Sequence, residues 1–237
     1  MENTCDEKGA RTVTQDNALI TASYSMGINE KRLLMMAISQ LDPTSKAWKE
    51  GRASATITAS DWVSTFNYSQ KSAYRELRKA SSKLFESKAQ LRGDNRNGKR
   101  IRWIQAEEYS EDEGRVTIVF SGEVLKYLTS LFDQFTKYDL LGVSGLKSTY
   151  SVRLYELSSQ FKGTGWRYIE LDDLREMFRL KDVYPRWQDL KKFVVDRACK
   201  EITAKSDLNV HYEIVKRGRS VRAIRLKIEE KDQLNLF

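Results

Sequence analysis

A spacing that occurs twice constrains this chain more than any other feature. Asp61, four intervening residues and Phe66 lead through a polar turn into a basic amphipathic stretch over residues 69–88, followed by strand-like sequence. Asp173 and Phe178 repeat the spacing and lead into a second basic amphipathic stretch over residues 185–205, again followed by strands. With one inserted residue, Tyr74 aligns with Trp187, Leu77 with Leu190, Ser81 with Val194 and Phe85 with Ala198. A chain of 237 residues is long enough for two such units, each burying its own core. Short helix, turn, longer helix and strands, taken twice, predict an α+β fold made of two copies of one helix-turn-helix module followed by strands.

The first unit is expected over residues 17–139, after a flexible N-terminal tail over residues 1–16. Residues 29–41 carry Leu33, Leu34, Ala37, Ile38 and Leu41 at helical spacing, a buried helix. Residues 53–57 read as a strand, and Thr58 with Asp61 three positions on reads as a helix start. In the basic helix, Tyr74, Leu77, Ser81, Leu84 and Phe85 share one face, while Arg75, Lys79 and Lys83 recur on another. Such a basic stripe is often no more than a solvated face. Its place after a short helix and a tight turn points instead to DNA contact.

Three strands are expected at residues 89–92, 100–106 and 115–120. The connection over residues 93–99, with Arg96, Lys99 and the following Arg100, suits a wing lying along phosphates. The connection over residues 110–114, with Glu111, Asp112 and Glu113, would be repelled by DNA and is expected to point away. The Gly-rich run from Gly93 to Arg100 nearly spells a nucleotide-binding P-loop. It lacks the Ser or Thr that holds magnesium and is followed by strand-like sequence rather than a helix, so an ATP site is rejected. A helix over residues 122–132 is expected to complete the unit, with a linker at residues 140–147.

The second unit, over residues 148–228, opens with a helix at residues 148–161 and a strand at residues 166–169. Its basic helix buries Trp187, Leu190, Val194, Ala198 and Ile202. Arg186, Arg197 and Lys200 fall on one flank and Lys192 on the exposed side, while Lys191 lies near the core edge on an ideal wheel. Residues 209–216 and 221–228 form a hairpin around Arg217, Gly218 and Arg219, good chemistry for a wing because the turn needs glycine and the phosphates need arginine.

Bulk properties narrow the partners. The formal net charge of +8, from 41 Lys and Arg against 33 Asp and Glu, favours a polyanion but requires the basic surface to be local. No apolar run approaches the roughly 20 residues of a membrane span, and the polar first residues lack a signal-peptide core, so a cytoplasmic protein is expected. Cys5 and Cys199 do not suffice for structural zinc, and Cys199 reads as a small buried thiol. His211 is the single histidine and is assigned to the core or sheet surface. No metal, cofactor or catalytic centre is expected. A strand-nicking enzyme would pair a tyrosine nucleophile with a metal held by two histidines, and one histidine is not enough.

Further residues carry a family resemblance. Ser148, Tyr150, Ser151, Arg153, Leu154, Tyr155, Glu156 and Leu157, followed by Tyr184, Arg186, Asp189, Leu190, Lys191 and Lys192 and then Ala198, Glu201 and Ile202, resemble the iteron-binding replication initiators of theta-replicating bacterial plasmids. Asn17, Ala18, Leu19 and Ile20, leading to Asn29, Glu30, Lys31, Arg32, Leu33 and Leu34, resemble that family's opening segment. The resemblance covers roughly residues 15–230. It implies two winged-helix domains gripping successive major-groove segments of a repeated double-stranded origin sequence, with monomers initiating replication and homodimers repressing their own promoter. Arg186, Lys191 and Lys192 would then meet base edges or nearby phosphates, backed by Arg217 and Arg219; Arg197 and Lys200, on the flank of the same helix, are counted with them as candidate DNA contacts. The first domain, with Arg75, Lys79 and Lys83, would mainly hold the backbone. Where relatives tend to carry a further basic residue after the lysine pair, this chain has Phe193.

The sequence ends in Gln233, Leu234, Asn235, Leu236 and Phe237 after charged residues 229–232. This resembles the peptide by which bacterial replication proteins dock on the sliding clamp: apolar side chains fill a preformed pocket and the Gln amide orients the segment. The other reading folds Leu236 and Phe237 back onto the second domain. The first reading makes the chain an origin-binding initiator that opens DNA and recruits host proteins, namely the clamp, the replicative helicase and the host initiator. The alternative is a winged-helix transcriptional regulator, which has no use for a clamp.

Overall fold

The computed structural model describes residues 11–92, 98–128 and 134–231. The first half runs β1 (Thr12–Asp16), α1 (Asn17–Ile20), α2 (Ile28–Ile38), α3 (Lys46–Lys49), β2 (Ser54–Thr58), α4 (Ala59–Phe66), α5 (Gln70–Glu86), β3 (Lys88–Leu91), β4 (Lys99–Arg102), β5 (Ile104–Ser110), β6 (Arg115–Phe120), α6 (Gly122–Leu125), β7 (Phe135–Asp139) and α7 (Leu140–Ser144). The second runs α8 (Thr149–Ser159), β8 (Trp166–Glu170), α9 (Leu171–Met177), α10 (Trp187–Leu190), a π-helical turn (Lys191–Val195), α11 (Asp196–Lys205), β9 (Leu208–Arg217) and β10 (Ser220–Glu230).

The two helix-turn-helix units start differently and stop alike: Thr58 caps α4 with its side chain, whereas Glu170 before α9 makes no such bond. Thr58 caps α4 by accepting a 3.0 Å hydrogen bond from the Asp61 N–H, while its hydroxyl donates to the Asp61 carboxylate at 2.8 Å. Burial of that carboxyl acts against its charge, but the hydrogen bonds from Thr58 and Arg11 win and hold it below the usual carboxylate range. α4 ends at Asn67 and α9 is followed by Arg179, both left-handed, with φ of 53° and 54°. Each stands one residue after the repeated Phe, so the duplication reaches the backbone that stops the helix. Asparagine tolerates this conformation well; arginine holds it under strain.

Behind each pair lies a three-stranded antiparallel sheet of matching order, β2-β6-β5 in the first domain and β8-β10-β9 in the second. The alternating residues Val116, Ile118 and Phe120 of β6 are fully buried, as the period-2 pattern requires. α2 is buried on all sides, including Lys31 and Arg32.

Five expectations change. Residues 12–16, expected in a free tail, form β1, which pairs along its length with β7. The helix expected over residues 122–132 is helical only through Leu125, and residues 129–133 lie outside the described ones. The expected linker at residues 140–147 contains α7, which buries Leu140 and Val143, with Leu146 buried beyond it. The strand expected over residues 100–106 splits at the buried Trp103 into β4, paired with β3, and β5, paired with β6. The two basic helices align with two inserted residues rather than one. Leu77, Ala80, Ser81 and Leu84 are buried in α5, and Leu190, Val194, Val195 and Ala198 in the second helix. The π-turn absorbs the extra residue, so Val195 rather than Val194 matches Ser81.

The halves meet through buried polar groups. The Arg153 guanidinium on α8 is 2% exposed and donates to the carbonyls of Ile20, Ala22, Tyr24 and Met177 at 2.8–3.2 Å. One turn on, Glu156 Oε1 accepts from Gln15 at 2.9 Å and Tyr138 at 2.7 Å and pairs with Lys31 at 2.8 Å. At the surface Arg92 pairs with Asp173 at 3.0 Å, and the Ser23 hydroxyl donates to the Glu176 carbonyl at 2.8 Å.

Candidate nucleic-acid interface

In the second domain the basic residues line the outward side of one helix and one hairpin tip. Arg186 is the N-cap residue of α10; its side chain is 78% exposed and reaches the Asp189 carboxylate at 2.7 Å. Lys191 and Lys192 fall in the π-turn. The register change moves Lys191 out to half-exposure, where it pairs with Asp196 at 2.8 Å. Partial burial pushes the Asp196 carboxyl up, but hydrogen bonds from Lys191 and Tyr212 outweigh it and keep the group ionised at lower pH than usual. Lys192, Arg197 and Lys200 are exposed, as are Arg217 and Arg219 on either side of Gly218. That glycine has a φ of +62°, the left-handed conformation a tight hairpin demands. Among the described residues, Lys192, Arg197, Lys200, Arg217 and Arg219 form no ion pair, so five cations remain free for an external anion.

The first domain is arranged differently. Arg75 and Lys79 are exposed on α5, while Lys83 lies toward α2, 3.8 Å from Glu30. Two cations escaped the sequence reading: Lys71 and Arg78 are exposed on the same outward face as Arg75, and the helical spacing 71, 75, 78 was the signal available. Arg78 lies over the Tyr109 ring at 4.2 Å. Lys99 is paired with Glu123, whose carboxyl is drawn down to about 2 by hydrogen bonds from Lys126 and Lys99. Arg100 is exposed, and Arg96 lies outside the described residues, as do Gln233, Leu234, Leu236 and Phe237.

The three-stranded sheet also gives the acidic connection a place. The β5–β6 hairpin occupies the wing position, and its turn carries Glu111, Asp112 and Glu113. β5 runs along α5, with Ser81 bonded to Glu107 and Arg78 stacked on Tyr109. These contacts step toward the start of α5, and the acidic turn itself closes on the start of α4, where the Ala59 N–H donates to the Gly114 carbonyl at 2.8 Å.

Cys199 is buried in α11, and burial pushes its thiol up to about 12, so it is an inert packing group. His211 is exposed on β9. No helix among the described residues is long and apolar enough to cross a membrane.

Comparison with known proteins accords with this architecture. Residues 12–159 match the model described as "Initiator Replication protein, WH1", and residues 170–228 match "Initiator Rep protein, WH2". A "Replication initiation protein" of Escherichia coli is 26% identical over 230 residues, spanning 94% of this chain and 71% of that protein. The "PI protein" of Escherichia coli is 27% identical over 235 residues, spanning 83% of this chain and 75% of that protein. The crystal structure of Pi initiator protein in complex with iteron DNA superposes with a TM-score of 0.80 at 24% identity, covering 94% of this chain and 98% of that one. Two tandem winged-helix domains, matched in order over most of the sequence, place this chain in the family of plasmid replication initiator proteins.

Proposed function

We propose that this protein initiates plasmid replication by binding repeated origin sequences as double-stranded DNA, one recognition helix per major-groove segment. The observation that carries the reading is the row of cations on α10–α11, continued by Arg217 and Arg219 on the adjoining hairpin. Arginine at the start of a recognition helix can read guanine O6 and N7, and lysines and wing arginines hold phosphates. Arg186, Lys191 and Lys192 are assigned to base edges and near phosphates, with Arg197, Lys200, Arg217 and Arg219 on the backbone. In the first domain, Arg75 and Lys79, with Lys71 and Arg78, are assigned to the backbone. Lys83, Arg96, Lys99 and Arg100 stay in the proposed set as peripheral contacts. The complex of a structurally similar protein with iteron DNA supports the reading.

Origin opening, recruitment of host helicase and initiator, and promoter repression by a homodimer complete the proposal. Residues 233–237, through Gln233, Leu234, Leu236 and Phe237, are proposed to dock on the sliding clamp. Deleting them is expected to abolish clamp capture and spare DNA binding.

The deciding experiment selects binding sites from random duplex DNA and compares the wild type with Arg186→Ala/Lys192→Ala. The double variant is expected to lose about 1–3 kcal/mol per base contact. Unchanged affinity and footprint would remove this helix from the reading role.

A further inference from the structure

Among the described residues Phe193 is the one large apolar side chain exposed on the α10–α11 helix, at 37% of its surface. The next two residues, Val194 and Val195, are buried. The π-turn over Lys191–Val195 separates them: by taking up one extra residue it keeps the valines in the core and leaves Phe193 on the outward face, in line with Arg197 and Lys200. The ring is stacked on Tyr184 at 5.7 Å with planes 22° apart, and the Lys192 ammonium lies 5.3 Å from its centre. Phe193 and the half-buried Tyr184 therefore form a small apolar surface on the helix that carries Arg186, Lys191, Lys192, Arg197 and Lys200.

A helix face that met only phosphates and guanine edges would have no use for an exposed aromatic ring, since both are met by cations. In the major groove one base group is apolar, the 5-methyl of thymine, and phenylalanine is among the side chains that contact it. Held by Tyr184, the Phe193 ring has little rotational freedom left to lose when such a contact forms. We propose that Phe193, positioned by Tyr184, is a specificity-determining residue that reads the 5-methyl group of a thymine in the part of the repeat covered by the second domain. The inference rests on the DNA-reading role proposed above for this helix.

The test uses the full chain and a duplex carrying its selected repeat. Each thymine under the second domain is replaced in turn by uracil, which keeps base pairing and loses only the methyl. One replacement is expected to weaken wild-type binding about three- to fivefold, the effect of losing one buried methyl-sized group. Phe193→Ala, checked for an unchanged urea midpoint, is expected to bind the thymine and uracil duplexes equally. Equal wild-type binding to every uracil duplex would overturn the inference. So would a Phe193→Ala variant that still discriminates, or a repeat without thymine in that segment. A wild type that enriches no duplex sequence would fail earlier, at the DNA-reading role itself, and would take this inference with it.

Discussion

Arg153 shows how much one buried side chain can organise. Its guanidinium is removed from water, which is costly for a charge, and is compensated by four carbonyl acceptors and by the Tyr24 ring 3.7 Å away. Three of the carbonyls belong to residues 20–24 of the first domain and the fourth to Met177 at the end of α9. Arg153→Met keeps the bulk and orphans those acceptors. It is expected to cost about 3 kcal/mol or more, read as a fall in the urea midpoint at neutral pH. A change under about 0.5 kcal/mol would mean that water replaces the guanidinium without penalty. In the sequence Arg153 was one letter of a family resemblance, with nothing local to show that it would be buried or that three of its four acceptors lie more than 120 residues away.

At the scale of elements, the two wings differ in sign. β9–β10 ends in Arg217, Gly218 and Arg219, whereas β5–β6 ends in Glu111, Asp112 and Glu113. Both hairpins hold the same position in their sheets, so the second domain should supply most of the phosphate affinity while the acidic turn weakens nonspecific contact by the first. Replacing Glu111, Asp112 and Glu113 by Gln, Asn and Gln is expected to tighten binding to random duplex by roughly three- to tenfold at low salt, fading as salt rises. A titration in which this variant and the wild type coincide at every ionic strength would place the acidic turn clear of the DNA.

For the whole molecule, the joint between domains sets the distance between recognition helices. Across it Arg153 on α8 holds the Met177 carbonyl together with those of residues 20–24, and Arg92 pairs with Asp173, while the fully buried Lys31–Glu156 pair, shared by Gln15 and Tyr138, anchors α8 to the WH1 segment itself. Buried charged groups of this kind add little net stability, but they penalise any arrangement that leaves a partner unpaired. A DNA site should therefore be read at one spacing. Inserting about five base pairs, half a helical turn, between its two segments is expected to reduce affinity to that of the second domain alone, measured by titration and footprinting. Full retention of both footprints would show that the domains swing independently.

The sequence by itself determined the repeated unit, its helix starts, the alternating strands and the basic character of both recognition helices. These depend on local chemistry: capping residues, helical and strand periodicity, and a glycine between arginines. The tertiary structure decided what depends on partners distant in the chain. β1 exists because Thr12–Asp16 meets Phe135–Asp139, which no local pattern announces. Lys83 and Lys99 face Glu30 and Glu123 because folding brings those carboxylates near. The π-turn, which sets the directions of Lys191, Lys192 and Phe193, arises where a core spacing of four residues replaces the three used in the first domain, and only packing against the sheet shows which residues that core selects.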